Sequence, residues 1–403
     1  MRTHRALLLC SSALLFSQAP FFAVAQAAPQ GAPAKVRASA RTAAPREKTI
    51  GRIERVASFY GPMPTGVTVS HHGRIFVNYP RWGDRVPFTV AEVRNGRAVP
   101  YPNRAIFDPK RDRLQRLVSV QSVVVDPLDR LWILDTGSVK FGPTLPGGPK
   151  LVGVDLRTNR VFRTILFPRN VALPTTYLND VRFDLRRGTQ GMAFITDSSG
   201  NGPNAIIVVD LATGRSWRRL NDHSSTKAEP KFVPIVEGQA LMQRKPGQFP
   251  KYITIGADGI AISADGERLY YCPLASRKLY SVSVDALANE TMSDTQVAAT
   301  VIDHGDKGAS DGLETDNKNR VYCTEYEHNA IVRRHPNGLY ETVVHDPRVL
   351  WPDTLSVARN GYLYFTANQL HRQPNYHNGK DLRRKPYAVY RVKIDAGPVL
   401  LRR

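Results

Sequence analysis

The sequence predicts an all-β chain folded as a six-bladed β-propeller, on three observations. One two-strand pattern recurs six times, helical periodicity is nearly absent, and the 403 residues show no internal composition break after about residue 60. Radial repetition reconciles that length with one domain, because each blade adds its own small core instead of enlarging a single one.

The elements follow in chain order. Arg2 and Arg5 precede an uncharged stretch over residues 6–34 that holds apolar runs at 6–9, 13–16 and 21–24 and small-x-small sites at 23–25 and 25–27. That is the pattern of a cleaved signal peptide over residues 1–27. Ser11, Ser12, Ser17, Gln18 and Pro20 interrupt the run, whereas a spanning helix needs ~20 mostly apolar residues. The expectation is a secreted or periplasmic protein with no transmembrane segment after cleavage. Residues 28–49 are rich in Ala, Pro and Arg with almost no large apolar side chain, which reads as a disordered basic linker. The propeller is expected over residues 50–403.

The six copies begin at residues 64–69 with 73–77, 121–125 with 129–134, and 179–183 with 192–195. They continue at 258–262 with 269–271, 311–315 with 320–322, and 353–357 with 361–365. Further strand pairs fill the gaps, for example 151–156 before 160–167 and 205–211 before 216–220, joined by hairpin turns at 157–159 and 212–214. The largest insertion, residues 223–252 with four prolines, lies between copies three and four and is expected to form a lid-like loop over one face. Residues 50–59 are expected to pair with residues 387–394, closing the ring in one blade.

The net charge of +21 favours anionic partners such as acidic polysaccharide or phospholipid headgroups. No nucleic-acid motif accompanies it, so no specific nucleic-acid role is expected, and a merely solvated basic surface is the plainer alternative. Cys272 and Cys323 fall in inner strands of neighbouring copies with registers one position apart, and both are expected to be unpaired.

Aligning the copies places Thr65, Gln121, Asn179, Asp258, Asp311 and Asp353 at one equivalent position. The first strand of each blade lines the central channel, so these side chains should form a ring around the axis. Three clustered carboxylates do not all remain charged cheaply: a cation neutralises them, or at least one pKa rises. Oxygen-only donors suit Ca²⁺ or Mg²⁺ rather than zinc. Against this stands turn chemistry, in which each Asp at a strand start accepts backbone N–H groups. Glu325, Glu327 and residues 368–371 could also reach the channel mouth. His71 and His72 fall in a hairpin turn, and the remaining histidines lack metal-ligand spacing. Residues 196–200 (Thr-Asp-Ser-Ser-Gly) lack the glycines of a nucleophile elbow. No Cys-x-x-Cys, P-loop, Rossmann glycine pattern or His-Glu-x-x-His is present.

Several ordered motifs resemble the major royal jelly protein/yellow family. They include residues 73–77 with Pro80-Arg81-Trp82, residues 131–137, 149–152 and Leu178-Asn179-Asp180, then 195–200, 310–313, 351–355 and 368–371. The resemblance runs from about residue 66 to residue 393. It implies a secreted six-bladed propeller of a family that ranges over pigment-pathway proteins associated with dopachrome conversion, amine-binding salivary proteins whose ligands sit in the central channel, and nutritional proteins. The basic leader and few cysteines are more like a bacterial outlier.

A more distant similarity is to gluconolactonase/senescence-marker-type propellers, which hold a divalent cation with an inner Glu, Asn and Asp. Asn179 and Asp258 match the Asn and Asp, while Thr65 stands where the Glu would be. These resemblances give Asn179 and Asp258 as expected metal ligands, for Ca²⁺ or another divalent cation if any is held. Thr65, Gln121, Asn179, Asp258 and Asn368 are expected to bind ligand, and Asp311 and Asp353 to be catalytic. Three functions remain open: a propeller binding a small molecule in its channel, with tautomerase or isomerase chemistry on a cyclic or aromatic substrate; a divalent-cation-dependent lactonase; and a non-catalytic extracellular scaffold.

Overall fold

The structure, a computed structural model, describes residue 45 and residues 49–403. The expected signal peptide and nearly all of the expected linker lie outside the described residues. Six four-stranded antiparallel sheets form the blades. The innermost strands are Val67–Val69, Val120–Val125, Leu178–Asp184, Ala257–Ile262, Leu313–Thr315 and Pro352–Val357. These strands are buried almost throughout, and successive ones neighbour one another around the ring.

Closure falls where the sequence places it. The outermost strand of blade six is Ile53–Phe59, paired antiparallel with Tyr387–Lys393 so that Ile53 faces Val392 and Phe59 faces Tyr387. The first and last strands of the chain therefore share a sheet, which leaves no open edge between the two ends of the ring. Between blades, cores form from alternating inner faces. Val181, Phe183, Ala193 and Ile195 of blade three, for example, pack with Trp132, Leu134 and Leu151 of blade two.

Helix is confined to short segments. Val284–Ala288 and Asp294–Ala298 connect the last two strands of blade four, and the second is held by a capping box of Ser293 and Gln296. Among the described residues no helix is long and apolar enough to cross a membrane. Cys272 and Cys323 are both buried and are not joined in a disulfide.

Two features cover the ends of the channel. The 223–252 insertion carries a small ribbon, Ile235–Val236 with Gln239–Ala240, whose buried Phe232, Val236 and Leu241 join the core of blades one and six. At the opposite face the last residues of the chain leave blade six and cross the channel. Pro398 bridges to Asp316, the Leu185 amide donates to the Leu401 carbonyl at 2.9 Å, and Pro398, Val399 and Leu400 lie against the lower ends of the inner strands.

Candidate functional site

A local irregularity aims the ring residues. In blades two, three, four and six the register of the innermost strand against its neighbour shifts at or beside the ring position, between Val120 and Ser122, Leu178 and Val181, Ala257 and Ile260, and Pro352 and Leu355. Such bulges add a residue and redirect its side chain, here toward the axis. Threonines of the second strands hold them. Thr196 Oγ1 accepts the Asp180 amide at 3.3 Å and donates to the Asp258 carbonyl of the next blade at 2.7 Å. Thr366 Oγ1 likewise accepts the Thr354 amide and donates to the Thr65 carbonyl at 2.7 Å.

The Asp-Gly pairs at 258–259 and 311–312 have the same origin. A Cβ on Gly259 would lie 2.5 Å from the Asp311 carbonyl oxygen, and one on Gly312 would lie 2.2 Å from that of Asp353. Glycine there admits the neighbouring blade's backbone, so this is close approach rather than turn chemistry.

Gln121, Asn179, Asp258 and Asp311 together line the channel end of a cavity of about 760 Å³. Its wall is aromatic. Trp82 stacks on Phe141 and Phe141 on Tyr177, each pair with ring centres 5.0 Å apart. Trp82 Nε1 donates to the Tyr177 hydroxyl at 2.5 Å, and that hydroxyl donates to Gln121 Oε1 at 3.0 Å, so the stack is tied to the ring. Tyr376 and Leu370 close another side, while Gln243, Lys245, Lys251 and Tyr252 of the insertion form part of the mouth with Lys140.

At the channel end Asp258 and Asp311 are hydrogen-bonded to each other. Burial, then the charges of Asp311 and Asp353, push Asp258 well above the ordinary carboxylate range. Burial also raises Asp311, but the Trp351 indole N–H and the bond from Asp258 restrain it to about 6. Trp351 Nε1 donates to Asp311 Oδ2 at 2.7 Å. Burial thus raises both carboxyls, and Asp311 less than Asp258 because it alone receives the Trp351 indole N–H.

The other expected residues lie elsewhere. Thr65 Oγ1 accepts from Asn78 Nδ2 at 2.9 Å and is fully buried between blades one and two. Asp353 accepts from Asn368 Nδ2 at 2.7 Å, and Asn368 in turn accepts the Leu370 amide. Neither Asp353 nor Asn368 lines the cavity, although burial and the charge of Asp311 raise the Asp353 carboxyl well above its usual range. Glu325 is buried beside Gly308, and Glu327 pairs with Arg277 and accepts the Ile235 amide at 2.7 Å. Neither reaches the cavity. His371 is buried against Trp351 and its Nε2 donates to Glu237 Oε2 at 2.9 Å, and burial lowers its pKa to about 4.

One group escapes the repeat alignment. Below the carboxyl pair, Arg182 of blade three crosses the channel, donating to Asp180 Oδ2 at 2.9 Å and to the Leu313 carbonyl of blade five at 2.8 Å, with Glu314 3.5 Å away. Ser122 of blade two donates to Asp180 Oδ1 at 2.6 Å. The ion group separates the cavity from the lower channel, where Arg182 and Glu314 appear again among the lining residues. Among the described residues no cluster of three or more His, Cys, Asp or Glu is arranged to hold a metal ion.

The sequence profile described as "Major royal jelly protein" matches residues 118–397, from the start of blade two to the C-terminal tail. The chain belongs to the major royal jelly protein family. This family propeller is 31% identical over 243 residues to "Protein yellow" of Drosophila pseudoobscura pseudoobscura, covering 57% of this chain and 41% of that protein. Against "Protein yellow" of Drosophila melanogaster the identity is 29% over 244 residues, covering 58% and 43%. The match thus spans less than half the length of these relatives.

Among solved structures the royal jelly family propeller is similar to a luciferin-regenerating enzyme, with TM-score 0.54 and 12% identity over 88% of this chain and all of that one. It is also similar to a gluconolactonase candidate, with TM-score 0.53 and 10% identity over 87% and 95% of the two chains. At such identities the likeness is one of fold.

Proposed function

We propose that the cavity binds a small cyclic or aromatic molecule and that Asp258 and Asp311 relocate a proton on it, a tautomerase or isomerase reaction. The observation that carries this reading is a buried carboxyl pair, both members raised by burial, beside an aromatic wall. Asp311, as carboxylate, takes a proton from one atom of the ligand, and Asp258 gives its proton to another. The proton then passes across their mutual hydrogen bond and restores the starting state, so no oxidant or cofactor enters the balance. A group titrating near 6 suits such exchange near neutral pH. The Trp82, Phe141 and Tyr177 stack supplies a face for a planar ring, and Gln121 and Asn179 offer amide groups to orient its polar substituents.

The test is an absorbance screen of cyclic keto–enol and quinone-type substrates with the native chain, Asp258→Asn and Asp311→Asn. Loss of turnover in both variants, with ligand-induced thermal stabilisation retained, supports the reading. Turnover that survives both substitutions sinks it.

A second reading rests on the donor chemistry. Asp258, Asp311, Asn179 and Gln121 present carboxylate and amide oxygens at one end of the cavity, a set that suits Ca²⁺ or a similar hard cation. Those residues would hold the ion in exchange for the shared proton, and the ion would supply Lewis-acid polarisation of a carbonyl, as a lactonase requires. Calorimetric titration with Ca²⁺ distinguishes the two: tight binding lost in Asp258→Asn and Asn179→Ala supports the cation, and no heat removes it. A chain that responds neither to Ca²⁺ nor to a ligand panel is a scaffold.

A further inference from the structure

The 223–252 insertion presents one side chain that nothing in the fold accounts for. Phe249 is 89% exposed, more than any other large apolar residue described. It stands near the tip of a tight loop over residues 243–251. The base of that loop is fixed by a backbone bridge between Gln243 and Lys251, with bonds of 2.9 and 3.0 Å. Its flank is fixed to the C-terminal segment, since the Arg244 amide donates to the Asn375 carbonyl at 2.7 Å and the Asn378 amide to the Arg244 carbonyl at 2.9 Å. Pro246 and Pro250 stiffen it further. The exposure of Phe249 is therefore held by the backbone.

Its neighbours along the chain are of one charge. Lys245 and Lys251 lie on either side of it, both exposed and neither ion-paired with a described residue. Arg244 precedes them, and residues 238–252 contain no carboxylate. Tyr252 adds a second partly exposed ring at 43%. Across the cavity mouth stands Lys140, likewise exposed and without an ion pair to a described residue. An aromatic tip between cations, in a chain of net charge +21, complements a surface that is negative outside and apolar beneath.

We propose that the 243–251 loop docks on an anionic lipid surface, with Phe249 entering the headgroup layer and Lys245 and Lys251 meeting lipid phosphates. A bilayer fits better than a charged glycan because a sugar covers only one face of a ring, whereas a side chain standing clear of the protein on all sides is buried completely only in an apolar layer. The fixed loop loses little conformational freedom on docking. Lys245, Lys251 and Tyr252 also line the cavity mouth, so the same contact turns the opening toward the lipid. This inference does not depend on the chemistry proposed for Asp258 and Asp311.

The experiment is co-sedimentation of the full chain with phosphatidylcholine vesicles, with and without phosphatidylglycerol. Binding is expected only where phosphatidylglycerol is present, falling about tenfold in Phe249→Ala and about fivefold for each of Lys245→Ala and Lys251→Ala. Leu339→Ala, which removes another exposed apolar side chain (64%) on an outer turn of blade five, should change nothing. Phe249→Trp should show a blue-shifted emission component on vesicle addition. Because Phe249 is unpacked, all variants should melt like the native chain. Vesicle binding that ignores Phe249→Ala overturns the proposal, and so does absence of binding to anionic vesicles. Tighter binding to soluble dextran sulfate than to vesicles, insensitive to Phe249→Ala, overturns it in favour of an anionic polysaccharide.

Discussion

Trp351 Nε1 donates to Asp311 Oδ2 at 2.7 Å, while the same indole stacks on Tyr326 with ring centres 4.1 Å apart and an interplanar angle of 12°. Trp351 belongs to blade six and Asp311 to blade five, so the contact fixes a carboxylate of one blade from the next. It also favours the ionised form of Asp311, which accepts this donor.

Trp351→Phe keeps the stack and removes the donor. The Asp311 pKa should then climb above about 6, and the pH dependence of ligand binding or turnover should move to the alkaline side. Loss of a hydrogen bond to a charged group should lower stability by about 1.5–3 kcal/mol, read by denaturant unfolding. An unchanged pH profile would show that Asp311 does not govern the site.

Asp311→Asn should raise stability at neutral pH. The folded-state pKa of Asp311, about 6, exceeds the ordinary 3.8. The folded chain thus holds its proton in a range where the unfolded chain has released it, and stability falls as pH rises through about 6. Asparagine cannot ionise and escapes that fall while still accepting from Trp351. The gain in Tm should be present at pH 7 and disappear below about pH 4. A variant less stable than the native chain at both pH values would contradict the shared-proton arrangement.

Arg182→Met leaves Asp180 and Glu314 facing each other without a counter-charge in the closed channel. Removing one partner of a buried ion group typically costs about 3–5 kcal/mol, and thermal unfolding should register it. Adding Asp180→Asn should recover part of the loss. If Arg182→Met melts like the native chain, the ion group does not brace the ring.

A chain beginning at residue 50 should fold and melt like the full one, because it keeps Ile53–Phe59 as the outer strand of blade six. A chain beginning at residue 60 exposes Tyr387–Lys393 as a free edge and uncovers Tyr390 and Val392. It should give little soluble protein. Equal yields and melting temperatures for the two would mean that the ring holds without closure.

The parts of this site that repeat were legible in the sequence, and the parts that do not repeat were hidden. Gln121, Asn179, Asp258 and Asp311 share a register, and in blades two to four a bulge at that place turns the shared register into a shared destination. Asp353 shares it too, yet Asn368 and Thr354 bind its carboxyl first. Trp82, Phe141 and Tyr177 come from connections of unequal length between strands, where no period exists to align them. Arg182 was concealed by the strand pattern itself. Alternation marks it as opposite to the core face, which ordinarily means solvent, but the other face of an innermost strand looks into the channel. Asp135, which reads as an ordinary acid at a strand end, is fully buried and accepts the amides of Val118, Ser119 and Gly137 near the ammonium of Lys150.

The tail that crosses the lower face has a consequence for traffic. With Pro398, Val399 and Leu400 beneath the inner strands and Arg182 above them, the passage through the axis is shut twice. Among the described residues, what remains is a well whose lining includes the 243–251 loop. If the cavity turns over a small molecule as proposed, product and the next substrate would share its doorway in turn, and any product that lingers would be at once an obstacle to the next arrival.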